Sequence, residues 1–230
     1  MIESYIERKY LIYGKQLLKK GMLFDTHVHT NISPCSDLDI ADVLRQAKAR
    51  GLDGVCITDH QTMEIRRHLR EGLQDNGLCV VFGIEYATDQ GDFLLFGPFE
   101  NISQGLPAIQ LLEQVRQAGG VAIAAHPFRS DRPVSEYLIR EGYCRIVESV
   151  NGRNTPVENL QVEKWQEELC LTCCGGSDAH TLDELGTVGT RFSTPVRSRN
   201  DLIFAFKNGL CHPECSPANN FLEARANVSF

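Results

Sequence analysis

The sequence lacks the features of a membrane, exported or broadly nucleic-acid-binding protein. None of its apolar runs approaches the roughly 18 residues that a membrane-spanning helix needs. The N-terminal residues mix charged and apolar side chains, without the uninterrupted apolar core of an export signal. Acidic residues outnumber basic ones by 30 to 23, and the net charge of −7 argues against binding to a nucleic-acid polymer. We therefore expect a cytoplasmic protein without membrane attachment.

Two common catalytic signatures are also missing. The sequence contains neither the G-x-S-x-G turn of serine hydrolases nor the glycine-rich P-loop of nucleotide-binding proteins. It shows no internal repeat, linker or low-complexity stretch, which favours one folded domain. We predict a helical N-terminal extension over residues 1–21, a domain over residues 22–215 and a tail over residues 216–230.

The nine cysteines allow two interpretations. Without an export signal, we expect reduced thiols rather than disulfides. One group has the CxxC and CHxxC spacing that could bind a structural zinc ion. Its members are Cys170, Cys173, Cys174, Cys211, His212 and Cys215. The alternative, which we favour, is that Cys173 and Cys174 fill a buried strand.

Strand-like and helix-like segments alternate from Met22 onward. The spacing of apolar residues predicts helices over 40–50, 63–74, 106–118, 157–169 and 199–208. Strands separated by helices of this length predict an α/β fold with βαβ units and a mostly parallel sheet. The segment GDFLLFG is expected to run antiparallel to its neighbour, because the connection before it is short.

Five short apolar runs end in histidine or a carboxylate: MLFDTHVH, GVCITDH, LCVVFGIE, GGVAIAAH and LTCCGGSDAH. Such runs are typical of strands buried on both faces, as in parallel sheets. The polar residues that they deliver are His27, His29, Asp59, His60, Glu85, His126, Asp178 and His180. The carboxyl ends of parallel strands meet at one rim of a barrel or open sheet. This recurrence predicts a polynuclear metal site.

The residue types indicate which ions the site would take. Alternate residues of a strand point to the same side, so His27 and His29 can bind one ion together. Mixed imidazole and carboxylate ligands suit zinc, manganese or iron, whereas calcium and magnesium prefer oxygen ligands. Glu85 can bridge two ions through its two oxygens. Such ions activate water for attack on a phosphoryl group.

The ordered motifs HVH, TDH, GIE, AHP and GSDAH resemble those of the PHP (polymerase and histidinol phosphatase) superfamily, from about residue 23 to residue 212. The resemblance implies a single-domain, distorted TIM-like (β/α)7 barrel. It also implies a metal-dependent phosphoesterase with two or three divalent ions (zinc, manganese or iron). The reaction would be in-line attack of a metal-activated water on a small phosphorylated metabolite or nucleotide.

The resemblance assigns roles by position. It places His27, His29, Glu85 and Asp178 on a first ion, Glu85 and His126 on a second, and His60 and His180 on a third. Within these sets, Glu85, Asp178 and His180 are the candidate catalytic residues. We expect Asp59 to orient the surrounding ligands rather than bind an ion.

Two positions depart from the pattern of the superfamily. Asp92 stands where many members have a histidine that completes the second ion. In the loop after HVH, either Cys35 or Asp37 could complete the third. Asp37 suits a hard or borderline cation and Cys35 would favour zinc; we favour Asp37.

Two arginines are candidates for binding the substrate phosphate. Arg129 and Arg153 both follow predicted strand ends, and the planar guanidinium matches two phosphate oxygens. A surface or ion-pair role is the alternative for each. Two other functions stay open, an amidohydrolase or TatD-like hydrolase and a non-catalytic metal-binding domain. The TDH and DAH motifs fit the first poorly, and the retention of seven expected ligands argues against the second.

Overall fold

The structure is a computed structural model, and it describes residues 21–216. The predicted N-terminal extension and C-terminal tail lie outside the described residues, apart from Gly21 and Ser216. Within the described part, none of the helices combines the length and apolar character needed to cross a membrane.

The described residues form a mixed α/β fold with two sheets and five α-helices. The strands are β1 (Met22–Val28), β2 (Gly54–Ile57), β3 (Gly72–Leu73), β4 (Cys79–Phe82), β5 (Ile84–Thr88), β6 (Gly91–Phe96), β7 (Val121–Ala124), β8 (Ile146–Asn151), β9 (Thr172–Gly176), β10 (Val188–Phe192) and β11 (Cys211–Cys215). The helices are α1 (Ile40–Ala49), α2 (Ala108–Gln117), α3 (Glu136–Arg140), α4 (Pro156–Glu168) and α5 (Arg199–Lys207). The strand orders are β11-β10-β1-β2-β4-β3 and β5-β6-β7-β8-β9.

Side-chain caps define where three of the helices begin. The Asp39 carboxylate accepts a hydrogen bond from the Ala41 amide at the start of α1. Thr155 and Glu158 form a reciprocal capping box at the start of α4, and Pro156 occupies the first turn. Ser198 caps α5. Four of the five predicted helices are confirmed with small shifts at their ends, whereas the short α3 was not predicted.

The predicted helix over 63–74 is wrong. The segment forms a short 3-10 helix, Glu64–Arg67, followed by strand β3. The side chain of Glu71 explains the difference, because it accepts hydrogen bonds from the Phe82 amide and from Arg199, which is distant in sequence. Gly72 has a φ of 105°, which a helix does not allow. Tertiary contacts therefore override the local helical spacing.

The prediction of a mostly parallel sheet is also wrong. Among the described strands, four pairings are parallel and five are antiparallel. Only Asp89 and Gln90 connect β5 to β6, which is too short for a crossover, so the predicted antiparallel pairing of β6 is confirmed. Strand β11 also returns antiparallel to β10 and places His212 opposite Arg191.

The predicted strand LCVVFGIE is two strands, with a break at Gly83. A side chain at Gly83 would meet the Phe96 ring at 2.6 Å and the Leu95 carbonyl oxygen at 2.9 Å, so the break requires glycine. Strand β4 before the break belongs to one sheet and β5 after it to the other. Bridges between Val28 and Ala179 and between His60 and Glu85 also link the sheets. Glu85 therefore lies where the two sheets meet.

Candidate metal centre

Histidine and carboxylate side chains converge where the two sheets meet. Three sets of side chains each bring possible ligand atoms within 4.8 Å of one another. The sets are His29, His60 and His180; His27, His29 and Glu85; and Glu85, Asp92 and His126. All of these residues are buried except His60. The structure thus brings together most of the residues that the strand-end pattern selected.

Glu85 occupies the middle of the cluster. Its Oε2 atom lies 3.4 Å from His27 Nε2, 3.1 Å from His29 Nε2 and 2.9 Å from His60 Nδ1. Its Oε1 atom lies 2.9 Å from His126 Nε2. The Oε2 atom is buried. Although three imidazole nitrogens lie near it, it has no hydrogen-bond partner. A buried oxygen of this kind needs a partner, and imidazoles around a carboxylate are a ligand set that suits a divalent cation.

Asp178 approaches the cluster from the turn after β9. Its Oδ1 atom lies 3.5 Å from His27 Nε2 and 3.3 Å from His29 Nε2. Its Oδ2 atom accepts a hydrogen bond from Arg129 Nη2 at 2.7 Å. Each oxygen therefore faces a different group, the imidazoles on one side and the guanidinium on the other.

The backbone is strained at three positions around the centre. Gln61, His126 and Asp178 have φ values of 59°, 31° and 55°, and no other described non-glycine residue has a positive φ. The left-handed region is unfavourable for residues with a side chain, and such strain concentrates at functional sites. Of these three residues, His126 and Asp178 are candidate ligands. Gln61 directly follows another candidate ligand, His60.

The charges in the centre shift the pKa values of its members in opposite directions. Burial raises the pKa of Glu85, but the effects of His27, His126 and His29 outweigh it and hold the pKa well below the usual range. Burial likewise lowers the pKa of His27, but Asp178, Glu148 and Glu85 raise it well above the usual value. The carboxylates therefore attract positive charge to the imidazoles. A divalent cation would satisfy the same demand and displace the protons.

Asp59 takes part in hydrogen bonds beside the centre. It is buried and accepts hydrogen bonds from the Thr30 amide, the Thr30 hydroxyl and the Ser33 hydroxyl, each at 2.7 Å. The Ser33 hydroxyl also accepts a hydrogen bond from the His60 amide at 3.0 Å. This network links the loop after β1 to the backbone of His60.

Glu148 is a buried part of the centre that sequence analysis missed. It lies in β8 with an exposed fraction of 0%, and its Oε1 accepts a hydrogen bond from His27 Nδ1 at 3.0 Å. Its Oε2 accepts hydrogen bonds from the His126 amide and from Asn151 Nδ2, both at 2.9 Å. A carboxylate between the apolar strand residues Ile146, Val147 and Val150 was the signal that could have identified it.

Asp25 is a second buried carboxylate that the sequence analysis did not select. It accepts hydrogen bonds from the Ser177 hydroxyl at 2.5 Å, from the Ser177 amide at 3.0 Å and from the Gly186 amide at 2.8 Å. Complete burial raises its pKa to about 6, although these hydrogen bonds act in the opposite direction. Asp25 thereby ties β1 to the turn that carries Asp178.

The two alternative ligands Asp37 and Cys35 lie in the loop after β1, where the Asp37 amide donates a hydrogen bond to the His180 carbonyl at 3.2 Å. Asp37 and Cys35 are exposed, and neither is a member of the three sets found among residues 21–216.

Asp92 is buried and belongs to the set with Glu85 and His126, with Oδ2 at 4.0 Å from His126 Nε2. Its Oδ1 lies 2.6 Å from Arg132 Nη2. Burial raises the pKa of Asp92 and Arg132 opposes that shift.

Both predicted phosphate-binding arginines lie beside the cluster. Besides Asp178, Arg129 donates hydrogen bonds to Asn151 Oδ1 at 2.9 Å and to Asn154 Oδ1 at 3.1 Å. Arg153 Nη1 lies 2.9 Å from His180 Nδ1, and 42% of its side chain is exposed. Arg129 is thus held by three partners, whereas Arg153 reaches the cluster from a more open position.

Other features lie away from the cluster. In the described part of the chain, the cysteines belong to none of the sets that could hold a metal ion.

A cleft of about 840 Å³ is lined by residues at the starts of β7, β8 and β9, among them Ala122, Ile146 and Thr172. The candidate centre lies at the opposite ends of these strands, so the cleft is separate from it.

Two family models together match most of the chain. A model of the PHP domain matches residues 25–173, and a model described as PHP-associated matches residues 156–211. Two uncharacterized proteins of Methanocaldococcus jannaschii are similar in sequence. MJ1587 is 32% identical over 46% of this chain and 68% of its own length, and MJ0417 is 27% identical over 75% of this chain and 71% of its own length.

Three solved structures have a similar fold. PsfC from Pseudomonas syringae aligns with a TM-score of 0.69 and 21% identity, over 90% of this chain and 96% of its own. A candidate metal-dependent phosphoesterase from Bifidobacterium adolescentis aligns with a TM-score of 0.54 and 17% identity, over 69% and 87%. Endonuclease Q, in complex with a duplex carrying an abasic lesion, aligns with a TM-score of 0.63 and 16% identity, over 81% and 56%.

Proposed function

The chain belongs to the PHP domain family, and from that membership we propose that it is a metal-dependent phosphoesterase acting on a small phosphorylated metabolite or nucleotide. The observation that carries the proposal is the environment of Glu85. Its buried Oε2 has three imidazole nitrogens within 3.4 Å and no hydrogen-bond partner. A polar atom so buried is costly unless something binds it, and a divalent cation is the partner that imidazoles and carboxylates share.

We assign the candidate ligands to two or three ions of zinc, manganese or iron. His27, His29, Glu85 and Asp178 would hold the first, Glu85, Asp92 and His126 the second, and His60 with His180 the third. When bound, such ions supply activation of water and stabilisation of charge on phosphoryl oxygens. Glu148 accepts a hydrogen bond from His27 Nδ1, so a cation that displaced the proton on Nε2 would meet that lone pair on the side facing Glu85 and Asp178.

We also propose that the two sheets together form the distorted barrel that the sequence motifs imply. The bridges Val28–Ala179 and His60–Glu85 support it, because they join β1 to the segment after β9 and join the segment after β2 to β5. The His29 amide donates to the Ala179 carbonyl at 3.0 Å and the Ala179 amide donates to the His27 carbonyl at 3.2 Å, which continues the first junction. A closed ring would direct the ligands from several strand ends to one rim.

The substrate phosphate would meet Arg153 and Arg129 at this rim. Arg153 is the more available of the two, because nearly half of its side chain is exposed, whereas Arg129 already has three partners. A small substrate suits the acidic balance of the chain, since the net charge of −7 provides no extended cationic surface for a polymer. The local arginines and bound cations would suffice for one or two phosphate groups.

The test is turnover by protein loaded separately with zinc, manganese or iron. The panel should contain an aryl phosphate, an aryl phosphodiester, phosphorylated metabolites and nucleotides, a duplex with an abasic lesion, and amide substrates. Hydrolysis of small phosphate esters that is lost in Glu85→Gln supports the proposal. The matched control is Glu64→Gln, because Glu64 is exposed and pairs with Arg67 away from the cluster. Cleavage of only the duplex or only the amides would refute it.

A further inference from the structure

The turn that follows His126 carries two arginines, Arg129 and Arg132, and the guanidinium group of each contacts an aspartate. The Arg129 amide donates to the His126 carbonyl at 2.9 Å, and the Arg132 amide donates to the Arg129 carbonyl at 3.2 Å. These successive turns place both guanidinium groups against the candidate centre. Arg129 Nη2 lies 2.7 Å from Asp178 Oδ2, and Arg132 Nη2 lies 2.6 Å from Asp92 Oδ1.

Each arginine occupies one oxygen of an aspartate whose other oxygen faces imidazole. Asp178 turns Oδ1 toward His29 Nε2 at 3.3 Å. Asp92 turns Oδ2 toward His126 Nε2 at 4.0 Å. A charge-assisted hydrogen bond to one oxygen fixes the plane of the carboxylate and determines which oxygen remains for a cation.

We propose that Arg132 is a positioning residue that makes Asp92 offer a single oxygen, Oδ2, to the ion held with Glu85 and His126. The inference rests on the proposed metal centre. The Asp92 side chain is only 6% exposed, whereas the Arg132 side chain is 50% exposed. The pair therefore spans the boundary of the site, with the carboxylate inside and the guanidinium at its edge.

The chemistry of the pair explains why an arginine would stand beside a cation site. Positive charge alone would repel a metal ion, so electrostatic attraction is not the contribution of Arg132. Arg132 instead donates a hydrogen bond from Nη2 to Oδ1, which fixes the orientation of the carboxylate, and an aspartate freed from it could rotate or bind through both oxygens. Partners of this kind, which hold a ligand without touching the ion, typically change metal affinity by about 10- to 100-fold when removed.

The test is a double-mutant cycle read by metal affinity. Zinc and manganese binding is titrated by calorimetry and elemental analysis in the unsubstituted protein, Arg132→Gln, Asp92→His and the double variant. Arg132→Gln should weaken binding of one equivalent by about 10-fold or more. In the Asp92→His background the same change should cost less than about 2-fold, because a histidine presents one nitrogen and needs no arginine. Unchanged affinity, or an equal loss in both backgrounds, would overturn the inference.

A second variant keeps the inference falsifiable if Asp92→His fails to fold or to bind metal. Arg132→Lys keeps the charge but loses the planar guanidinium that places Nη2 at Asp92 Oδ1, so it should recover only part of the affinity lost in Arg132→Gln. Full recovery would show that charge suffices and would refute the orienting role. Arg140→Gln is the control, because Arg140 pairs with Glu136 and Glu168 on the exposed surface and should not alter metal binding.

Metal titration requires no turnover, so the inference and the proposed function can fail separately. Loss of one equivalent in Arg132→Gln without hydrolysis of any phosphate ester would support the inference and refute the function. Unchanged metal affinity in an active phosphoesterase would do the reverse.

Discussion

Glu148 and His27 form a fully buried hydrogen bond of 3.0 Å between neighbouring parts of the two sheets. Glu148 lies in β8 and His27 in β1, and the contact joins positions 121 residues apart in the chain. The second oxygen of Glu148 accepts a hydrogen bond from the His126 amide at 2.9 Å. One side chain therefore fixes two candidate ligands without being one of them.

Glu148→Gln should reduce metal affinity by about 10-fold or more, because the amide holds the His27 tautomer less firmly than a carboxylate. Zinc titration followed by elemental analysis of dialysed protein measures the effect. Glu158→Gln is the control, since Glu158 belongs to the exposed capping box of α4. Equal metal content and affinity in both variants would show that Glu148 has no influence on the ligands.

Glu85→Ala should abolish turnover and remove more than one equivalent of metal. Its two oxygens face different imidazoles, Oε1 toward His126 at 2.9 Å and Oε2 toward His29 at 3.1 Å, so it can serve two ions. The measurement is metal content per chain together with the rate of phosphate release. If only one equivalent is lost and activity persists, Glu85 does not bridge.

Gly176→Ala should destabilise the protein by roughly 1–3 kcal/mol and also lower its metal content. A Cβ atom there would lie 2.5 Å from His27 Cβ and 2.7 Å from Glu148 Oε1, so it would separate that pair. Denaturant unfolding and metal analysis measure both effects. Gly51→Ala is the comparison, because a side chain there meets nothing within 4 Å and only its φ of 80° is unfavourable. That variant should lose stability while retaining metal.

Asp25 should make the metal-free protein less stable as the pH rises from about 4 to about 6. Its pKa is raised from 3.8 to about 6, so the folded state holds a proton that the unfolded state has released within this window. The difference of about 2 units corresponds to a loss of roughly 3 kcal/mol on passing through the window, at about 1.4 kcal/mol per unit. The free energy of unfolding of the original protein, relative to Asp25→Asn, should fall accordingly. A difference that does not change with pH would contradict this expectation.

The strand-end pattern anticipated most of the cluster because its signal is local and repeated. Polar residues after apolar runs select His27, Glu85, His126 and Asp178 without any knowledge of which strands pair. Glu148 and Asp25 escaped because each is a single carboxylate inside a strand. Their partners are 121 and 152 residues away, and short-range patterns contain no information about such contacts.

The sheet was harder to predict than the helices for a related reason. Caps such as Asp39 and Thr155 mark helix ends in a few neighbouring residues. Strand direction depends on which segments become neighbours, and the apolar strand β7 pairs antiparallel with β6 and parallel with β8. The break at Gly83 was missed because its cause is the Phe96 ring, which reaches it from another strand.

The break at Gly83 has a consequence for the order in which the protein acquires its centre. Glu85 reaches the histidines of β1 from the second sheet, so the cluster is complete only when both sheets are formed. Asp178 joins later still in sequence, beyond β9. We therefore expect cations to be captured at the end of refolding rather than to guide its early steps, and a chain truncated before β9 to retain none of them.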